Sequence, residues 1–348
     1  MQLGHIPRLK LADLPTPLEE LPRFSESLGG PRILIKRDDK TGLGLGGNKA
    51  RKLEFIMADA KESGATVIIT TGGIQTNHGR MTVAAAVKLG MKPVLVPVGT
   101  EPVKISGNLL VDLLMGAEVH YVPEVKDEGL SSYDRWKKGV ENIDNKMEEL
   151  ADHFRKKGET PYIIQMGGAS IQGTMGYVDA SIELIGQLNA QRIKADYIVT
   201  AVGTAGTYTG LLLGMKLLRS DVKVIGISVT AKAYMFEPLI KFEASEAAAY
   251  LKKDTQIETE EIELYDEYIG KAYGQPTKEA AEAMKMLART EGIILDPVYT
   301  GKALAGLIDL INQGRFKKED TLIFLHSGGV PGLFAFEQEN AFAESPLT

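Results

Sequence analysis

Short apolar segments alternate with helical segments along most of this chain, and this alternation constrains its fold more than any other feature. We predict strands at positions 33–36, 67–70, 93–98, 118–122, 162–166, 197–202, 222–229 and 321–325. Helical patterns lie between them, among them one that ends near residue 89 and others at 108–115, 131–157 and 209–218. Strands that alternate with helices of this length are typical of βαβ units and parallel sheets. We therefore expect an α/β protein with open, twisted parallel sheets.

Composition limits the class of protein. The 348 residues allow one large domain or two moderate ones, and 44% hydrophobic with 25% charged residues is ordinary for a soluble globular chain. No apolar run reaches the roughly 18 residues of a membrane span, and the N-terminus carries no signal pattern. We expect a cytoplasmic protein without a membrane partner.

Residue usage also excludes several chemistries. The absence of cysteine excludes disulfides, thiolate nucleophiles and cysteine-ligated metals. The five histidines form no His-x-x-x-His pair, so no metal site is expected. A net charge of −6 without a long basic run makes nucleic acid a poor candidate partner.

A glycine-rich segment, residues 42–55, runs directly into a predicted helix whose apolar face comprises Leu53, Ile56, Met57 and Ala60. Lys49 then lies near the first helical turn, where the helix dipole and desolvation both lower the pKa of an amine. A neutral amine suits Schiff-base chemistry. The alternative is that Lys49, Arg51 and Lys52 form a solvated basic face, and this segment alone favours that alternative.

Two nucleotide-binding motifs fit this segment poorly. Gly42, Gly44 and Gly47 match Gly-x-Gly-x-x-Gly, but residues 37–41 separate the first glycine from the preceding strand. The dinucleotide motif needs a strand immediately before it and an acidic residue about 20 positions later. Asn48 stands where a P-loop needs lysine.

Four predicted strands end in a polar loop that contains glycine, after Thr70, Met166, Val202 and Leu325. An ordinary turn explains any one of these loops. In open α/β sheets, however, ligands bind beyond the carboxyl ends of the strands. Four loops of the same kind therefore favour a shared binding site.

The loop at residues 203–207 has the composition of an anion-binding nest at a helix N-terminus, and the hydroxyls of Thr204 and Thr207 add donors. No lysine or magnesium-binding pattern accompanies it, so we predict a single phosphate monoester, such as that of a cofactor. A simple tight turn is the alternative.

Three further loops carry polar side chains. The run Gln75-Thr76-Asn77-His78 offers an amide, a hydroxyl and an imidazole that could bind a carboxylate or a ring hydroxyl. The segment 296–300 contributes an aromatic ring and a hydroxyl, and Ser327 could bond a neutral ring nitrogen.

These residues resemble a pyridoxal-phosphate-dependent family. It holds 1-aminocyclopropane-1-carboxylate (ACC) deaminase, D-cysteine desulfhydrase and L-cysteate sulfo-lyase, and it has the tryptophan-synthase-β fold, called fold type II. The resemblance runs from residue 16 to residue 329. Its motifs are Lys36-Arg37-Asp38-Asp39, Gly46-Gly47-Asn48-Lys49 with Arg51-Lys52-Leu53-Glu54, Asn77-His78, Gly168-Ala169-Ser170 and Asp296-Pro297-Val298-Tyr299.

The resemblance implies a role for each matching residue. Lys49 would hold pyridoxal 5′-phosphate as a Schiff base, and Lys52 is the less suitable lysine because the motif aligns on Lys49. Catalytic roles fall to Lys49, Thr76 and Tyr299. Cofactor contacts fall to Lys49, Asn77, Gly203, Thr204, Ala205, Gly206, Thr207, Tyr299 and Ser327. Substrate contacts fall to Gln75, Thr76, Asn77, His78 and Tyr273.

It also implies two domains and a homodimer. The larger, cofactor-binding domain would comprise residues 1–52 and 161–348, and the smaller domain residues 53–160.

The connection at 243–262 is charged and alanine-rich, which indicates a surface helix followed by a loop. The proline-rich first forty residues indicate an extended arm without a long helix.

The chain departs from the family at three positions. Thr76 stands where the family has serine, and its added methyl should tighten the pocket. Thr300 and Ser327 stand where deaminase members carry glutamate and leucine. A carboxylate beside the ring nitrogen keeps that nitrogen protonated, whereas a hydroxyl leaves it neutral, which suffices for β-elimination of a good leaving group.

These departures favour a lyase that cleaves the C–S bond of D-cysteine, L-cysteine or L-cysteate, giving pyruvate, ammonia and sulfide or sulfite. Arg80 could supply charge for a sulfonate or could be a solvated helix residue. ACC deamination is the alternative within the family. A protein that binds a phosphometabolite without covalent chemistry is the alternative from another class.

Overall fold

The structure is a computed structural model and describes residues 3–4, 6–127 and 129–335. The strands it describes are β1 (Leu18–Glu20), β2 (Arg32–Lys36), β3 (Val67–Gly73), β4 (Lys92–Val98), β5 (Glu118–Val119), β6 (Pro161–Ile164), β7 (Tyr197–Val202), β8 (Lys223–Ser228), β9 (Glu263–Tyr265) and β10 (Thr321–Leu325). The α-helices are α1 (Pro22–Leu28), α2 (Lys49–Glu62), α3 (Asn77–Lys88), α4 (Gly107–Leu114), α5 (Ser132–Lys156), α6 (Ile171–Gln191), α7 (Gly206–Leu217), α8 (Ala233–Tyr250), α9 (Lys278–Glu291) and α10 (Thr300–Asn312).

The larger sheet has six strands in the order β1-β2-β10-β7-β8-β9, all parallel except for the β1–β2 pair. Both of its faces are covered, which is why β10 is apolar at nearly every position. Ile323 and Leu325 pack against α6, α7 and α8 on one face. Leu322 and Phe324 pack against α1, α9 and α10 on the other.

The smaller sheet has four parallel strands in the order β5-β4-β3-β6. Ile68 of β3 packs with α2 and α3, whereas Val67 and Ile69 pack against α5. The expected α/β fold with two parallel sheets is confirmed. Strand β6 pairs with β3, so residues 161–164 belong to the smaller sheet, although the predicted boundary assigned them to the larger domain. The division into two domains remains a prediction.

Three local expectations differ from the structure. The described part of the N-terminal arm contains no long helix, as predicted, but it is not wholly extended, because it contains the seven-residue helix α1. This helix begins at Pro22, a position in the first turn where proline costs no hydrogen bond. The predicted surface helix near residue 243 is the second half of α8, which buries Glu243, Ala244 and Ala247. Helix α7 begins at Gly206 rather than Thr209, so part of the predicted phosphate loop lies in a first helical turn.

Candidate active site

Lys49 is the first residue of α2, as the sequence predicted. Burial lowers its pKa well below the ordinary value for lysine, and the charge of Lys52 lowers it further. The alternative of a solvated basic face is wrong for its neighbours, because Arg51 and Lys52 are both buried. Arg51 bonds Asp38 and Glu183, which ties α2 to the larger sheet and to α6. Lys49 is thus an amine whose neutral form is stabilised by burial, and it lies on a firmly held helix.

The start of α2 contacts two of the strand-end loops. The Asn48 side chain donates a 2.9 Å hydrogen bond from Nδ2 to Oγ1 of Thr207. Its backbone N–H donates to the Ser327 carbonyl, also at 2.9 Å. The structure therefore brings Lys49 beside the loops after β7 and β10, the convergence that the sequence predicted.

The loop after β7 presents donors at the N-terminus of α7. Ala205 has a positive φ of 57°, a conformation that costs about 1–3 kcal/mol and concentrates at functional sites. Among the described residues, the backbone N–H groups of Thr207 and Tyr208 have no acceptor. These groups have the arrangement of a phosphate-binding helix N-terminus.

A lysine accompanies this loop, contrary to the sequence-based expectation. A Cβ placed on Gly206 would lie 2.7 Å from Nζ of Lys52, so glycine leaves room for the ammonium group in this position. Lys52 also donates a 2.8 Å hydrogen bond to the Gly167 carbonyl. Burial lowers its pKa to about 8, while Glu243 opposes that shift.

Thr76 caps helix α3. Its Oγ1 accepts a 3.1 Å hydrogen bond from the Gly79 N–H. A Cβ placed on Gly79 would lie only 2.3 Å from the methyl carbon of Thr76, and a Cβ placed on Gly72 would lie 3.0 Å from it. The methyl group therefore fills space left by two glycines, which differs from the expectation that it tightens the pocket.

Gln75 and Asn77 bond to helix α4. Gln75 accepts from the Asn108 N–H through Oε1 at 2.8 Å and donates to the Ser106 carbonyl at 3.1 Å. Asn77 accepts through Oδ1 from Nδ2 of Asn108 at 2.9 Å, which leaves the Asn77 amide group as a donor for a ring hydroxyl. The Gln75 side chain is thus committed to α4, which differs from its predicted substrate contact.

His78 is buried and favours the neutral form. Burial lowers its pKa well below the ordinary value, and Lys49 and Lys52 add to this shift. The Thr70 hydroxyl donates its proton to the Ile164 carbonyl, so it accepts from Nε2–H of His78 at 3.0 Å. In the part of the chain that the structure describes, Nδ1 of His78 is an acceptor without a partner.

Asp296 organises the start of α10. It accepts hydrogen bonds from the backbone N–H groups of Val298, Tyr299 and Thr300. The Thr300 hydroxyl donates to it at 2.6 Å. A Cβ on Gly329 would lie 2.7 Å from the same carboxyl group, so this cluster adjoins the loop that carries Ser327.

Two tyrosines, Tyr273 and Tyr299, contact each other at the site. A Cβ on Gly203 would be 3.2 Å from the Tyr299 ring, and a Cβ on Gly73 would be 3.8 Å from the Tyr273 ring. Their hydroxyl oxygens are 2.5 Å apart, which joins the ends of β7 and β3. Burial raises the pKa of Tyr299 well above its usual value.

Arg80 is buried, so its interpretation as a solvated helix residue is wrong, whereas its charge for a substrate sulfonate stays a prediction. It is fully buried, and its guanidinium donates to the carbonyls of Gly44 and Gly46. Asp112 of α4 faces it, and burial raises the pKa of that carboxyl to about 7. Arg80 therefore fixes the shape of the glycine-rich loop before Lys49.

Comparisons with known proteins identify the family of this chain. A family model described as "Pyridoxal-phosphate dependent enzyme" matches residues 9–328. The chain belongs to this family. A D-cysteine desulfhydrase from Salmonella paratyphi C (strain RKS4594) is 41% identical over 97% of this chain and 99% of its own length.

Solved structures agree with the assignment to this pyridoxal-phosphate-dependent family. A crystal structure described as an ACC deaminase homologue is 38% identical, with a TM-score of 0.84 and coverage of 98% of this chain and 97% of the other. A lysine-to-alanine mutant of O-ureido-L-serine synthase, with O-ureido-L-serine bound, has a TM-score of 0.64 at 16% identity over 97% and 94% of the two chains, which supports the fold alone. The predicted fold type II is confirmed.

Pyridoxal phosphate is the cofactor of this family, and the residues present fit it. The N-terminus of α7, the space that Gly206 leaves and the buried ammonium group of Lys52 suit a phosphate monoester. Lys49 offers an amine of lowered pKa for the aldehyde. The alternative of a phosphometabolite-binding protein without covalent chemistry gains no support from this family membership.

Sequence reasoning assigned no role to several residues at this site. Asn48 belongs to the Gly46-Gly47-Asn48-Lys49 motif. Its amide side chain was the feature of the sequence that could have predicted its hydrogen bond to Thr207. Asn108 and Glu243 act from helices whose positions relative to the site only the tertiary structure reveals.

Among the described residues, no group of acidic and histidine side chains could hold a metal ion, and no helix is long and apolar enough to cross a membrane.

Proposed function

We propose that this enzyme cleaves the Cβ–S bond of D-cysteine, so that D-cysteine and water give pyruvate, ammonia and hydrogen sulfide. The observation that carries the proposal is the Asp296–Thr300 cluster beside the Ser327 loop. At the positions where the resemblance places the ring nitrogen stand the hydroxyl residues Thr300 and Ser327 instead of a free carboxylate. The Asp296 carboxylate is already occupied by three backbone N–H groups and by the Thr300 hydroxyl, which leaves the Ser327 hydroxyl for the ring nitrogen. The D configuration follows the 41% identical relative.

Lys49 is the proposed base. Bound pyridoxal phosphate supplies an electron sink for the pair left when the substrate's α-proton is removed. The lowered pKa of Lys49 increases the neutral share of its amine, and only the neutral amine can accept that proton.

The N-terminus of α3 is the proposed site of the substrate carboxylate. Within the described part of the chain, the N–H groups of Asn77 and His78 have no acceptor, and the helix dipole favours an anion there. Thr76 caps the next N–H group and keeps these two directed outward. The orphan Nδ1 of His78 adds an acceptor for a substrate N–H or for the ammonium group of a lysine.

The Tyr273–Tyr299 pair is the proposed proton source for the leaving sulfur. Two hydroxyls bonded to each other share one hydrogen bond, so one O–H proton remains available. The raised pKa of Tyr299 keeps that residue protonated at neutral pH. Sulfide is then released as a protonated species rather than as a bare anion.

A product panel tests the proposal. D-cysteine, L-cysteine, L-cysteate and ACC are assayed side by side for sulfide, sulfite, pyruvate and 2-oxobutyrate. We expect the highest kcat/KM with D-cysteine, with sulfide and pyruvate formed in equal amounts. Dominant 2-oxobutyrate formation from ACC would overturn the proposal in favour of the deaminase. The homodimer implied by the family resemblance and the cytoplasmic location predicted from the sequence are part of this proposal.

A further inference from the structure

Glu243 is a buried carboxylate that the proposed reaction does not use. It lies on α8, and its Oε2 atom has no hydrogen-bond partner among the described residues. A buried carboxylate oxygen without a donor is costly, so such an atom calls for an explanation.

The orphan oxygen faces the proposed phosphate position. A Cβ placed on Gly206 would lie 3.7 Å from Oε2 of Glu243 and 2.7 Å from Nζ of Lys52. Both charged groups therefore converge on the first residue of α7, one from α8 and the other from α2. From α7 itself the buried hydroxyl of Thr209 faces the carboxyl group and lowers the pKa of Glu243, although among the described residues its Oγ1 meets no partner at full hydrogen-bond geometry.

Two anions cannot share this space without cost. A phosphate dianion bound at the α7 N-terminus would approach a carboxylate in a site of low dielectric, where like charges disfavour each other strongly. A proton on Glu243 removes that repulsion and gives Oε2 a hydrogen that it can donate. Burial already raises the pKa of Glu243 to about 7, although Lys52 opposes this shift.

We propose that Glu243 is a positioning residue for the phosphate end of the site, where it faces the start of α7 beside Lys52 and takes up a proton from solvent when the cofactor phosphate binds. This inference rests on the proposed placement of the phosphate at residues 204–207. Cofactor loading is then coupled to proton uptake by one carboxyl group.

Infrared difference spectroscopy on the full-length apoenzyme reads that proton directly. Pyridoxine 5′-phosphate is the probe, because it carries the phosphate but no aldehyde and therefore forms no Schiff base with Lys49. At pH 8, we expect binding to produce the carbonyl stretch of a protonated carboxyl group. Pyridoxine, which lacks the phosphate, should not produce it.

Two variants test whether the carboxyl band comes from Glu243. Glu243→Gln should lose the band while retaining the fold, because the change is isosteric. Glu246→Gln, at an exposed position on the same helix, should keep the band. No band in the wild-type enzyme, or a band that persists in Glu243→Gln, would overturn the role of Glu243.

A separate variant tests the placement of the phosphate. Lys52→Met should reduce the preference of the enzyme for pyridoxine 5′-phosphate over pyridoxine at least tenfold. An unchanged preference would overturn the phosphate placement itself. A reduced preference without the carboxyl band would overturn only the proton uptake by Glu243.

Discussion

The Asn48 side chain reaches from the start of the lysine helix to the hydroxyl of Thr207, 2.9 Å away, at the start of α7. These residues are far apart in the sequence, yet their bond sets the spacing between the amine that would bind the cofactor aldehyde and the loop that would bind its phosphate. Because the Thr207 hydroxyl accepts from Asn48, its own proton remains free to donate to a phosphate oxygen.

The first prediction concerns this bond. Thr207→Val keeps the shape of the side chain but removes the hydroxyl, whereas Thr207→Ser keeps the hydroxyl. Loss of one hydrogen bond to a charged group costs about 1.5–3 kcal/mol, so Thr207→Val should weaken cofactor affinity by roughly 10- to 100-fold. Fluorescence titration of the apoenzyme measures this Kd. Equal affinities for the two variants would contradict the role of Thr207.

Thr76 provides the second prediction. Thr76→Val removes the cap of α3 and should lower the free energy of unfolding by about 0.5–2 kcal/mol. Thr76→Ser retains the cap and should leave KM for D-cysteine nearly unchanged, because the lost methyl group faces Gly72 and Gly79. Chemical denaturation and steady-state kinetics measure the two effects. A large fall in KM for Thr76→Ser would show that the methyl group does narrow the substrate pocket.

The third prediction concerns pH and Asp112. Neither oxygen of this carboxylate has a hydrogen-bond partner among the described residues, and burial raises its pKa to about 7 while Arg80 opposes the shift. Between pH 4 and pH 7 the folded chain therefore holds a proton that the unfolded chain has lost. Stability contributed by Asp112 then falls as pH rises through this window, by at most about 1.4 kcal/mol per pH unit.

Asp112→Asn should remove this dependence. The free energy of unfolding of the variant relative to the wild type should increase from pH 5 to pH 7.5 in urea denaturation. Glu141→Gln, an exposed change on α5, is the matched control and should show no such trend. A difference for Asp112→Asn that stays constant with pH would contradict the prediction.

The tyrosine pair gives the fourth prediction. Tyr273→Phe removes the 2.5 Å contact with Tyr299 and leaves one hydroxyl without its partner. A lost hydrogen bond of about 1 kcal/mol corresponds to a roughly fivefold fall in kcat/KM for D-cysteine. Tyr250→Phe, at an exposed position of α8, serves as the control. Equal kinetics for the two variants would remove Tyr273 from the proposed mechanism.

The sequence predicted the parts of the site that depend on local pattern. The glycine-rich approach to Lys49, the loop after β7 and the convergence of strand ends all follow from hydrophobic periodicity and from the geometry of parallel sheets. The family motifs then identified Lys49 ahead of Lys52.

The remaining features depend on contacts between distant segments. Lys52 reaches the start of α7 because α2 packs across the loop at Gly167, and no local pattern reveals this. Arg80 donates hydrogen bonds to the carbonyls of Gly44 and Gly46, which lie more than 30 residues away in the sequence, so the local pattern did not reveal its burial. The amide of Gln75 was predicted to contact the substrate, yet its nitrogen and its oxygen both form hydrogen bonds with the start of α4.

The central claim is that Lys49 is the residue that binds the cofactor, and peptide mapping tests it most directly. The enzyme loaded with pyridoxal phosphate is reduced with borohydride, digested and analysed by tandem mass spectrometry. We predict a single pyridoxyl-phosphate adduct on Lys49, because its amine has a pKa well below the ordinary value and lies at the start of α2 beside the loop at residues 203–207. An adduct on Lys52, or on any other lysine in place of Lys49, would contradict the account.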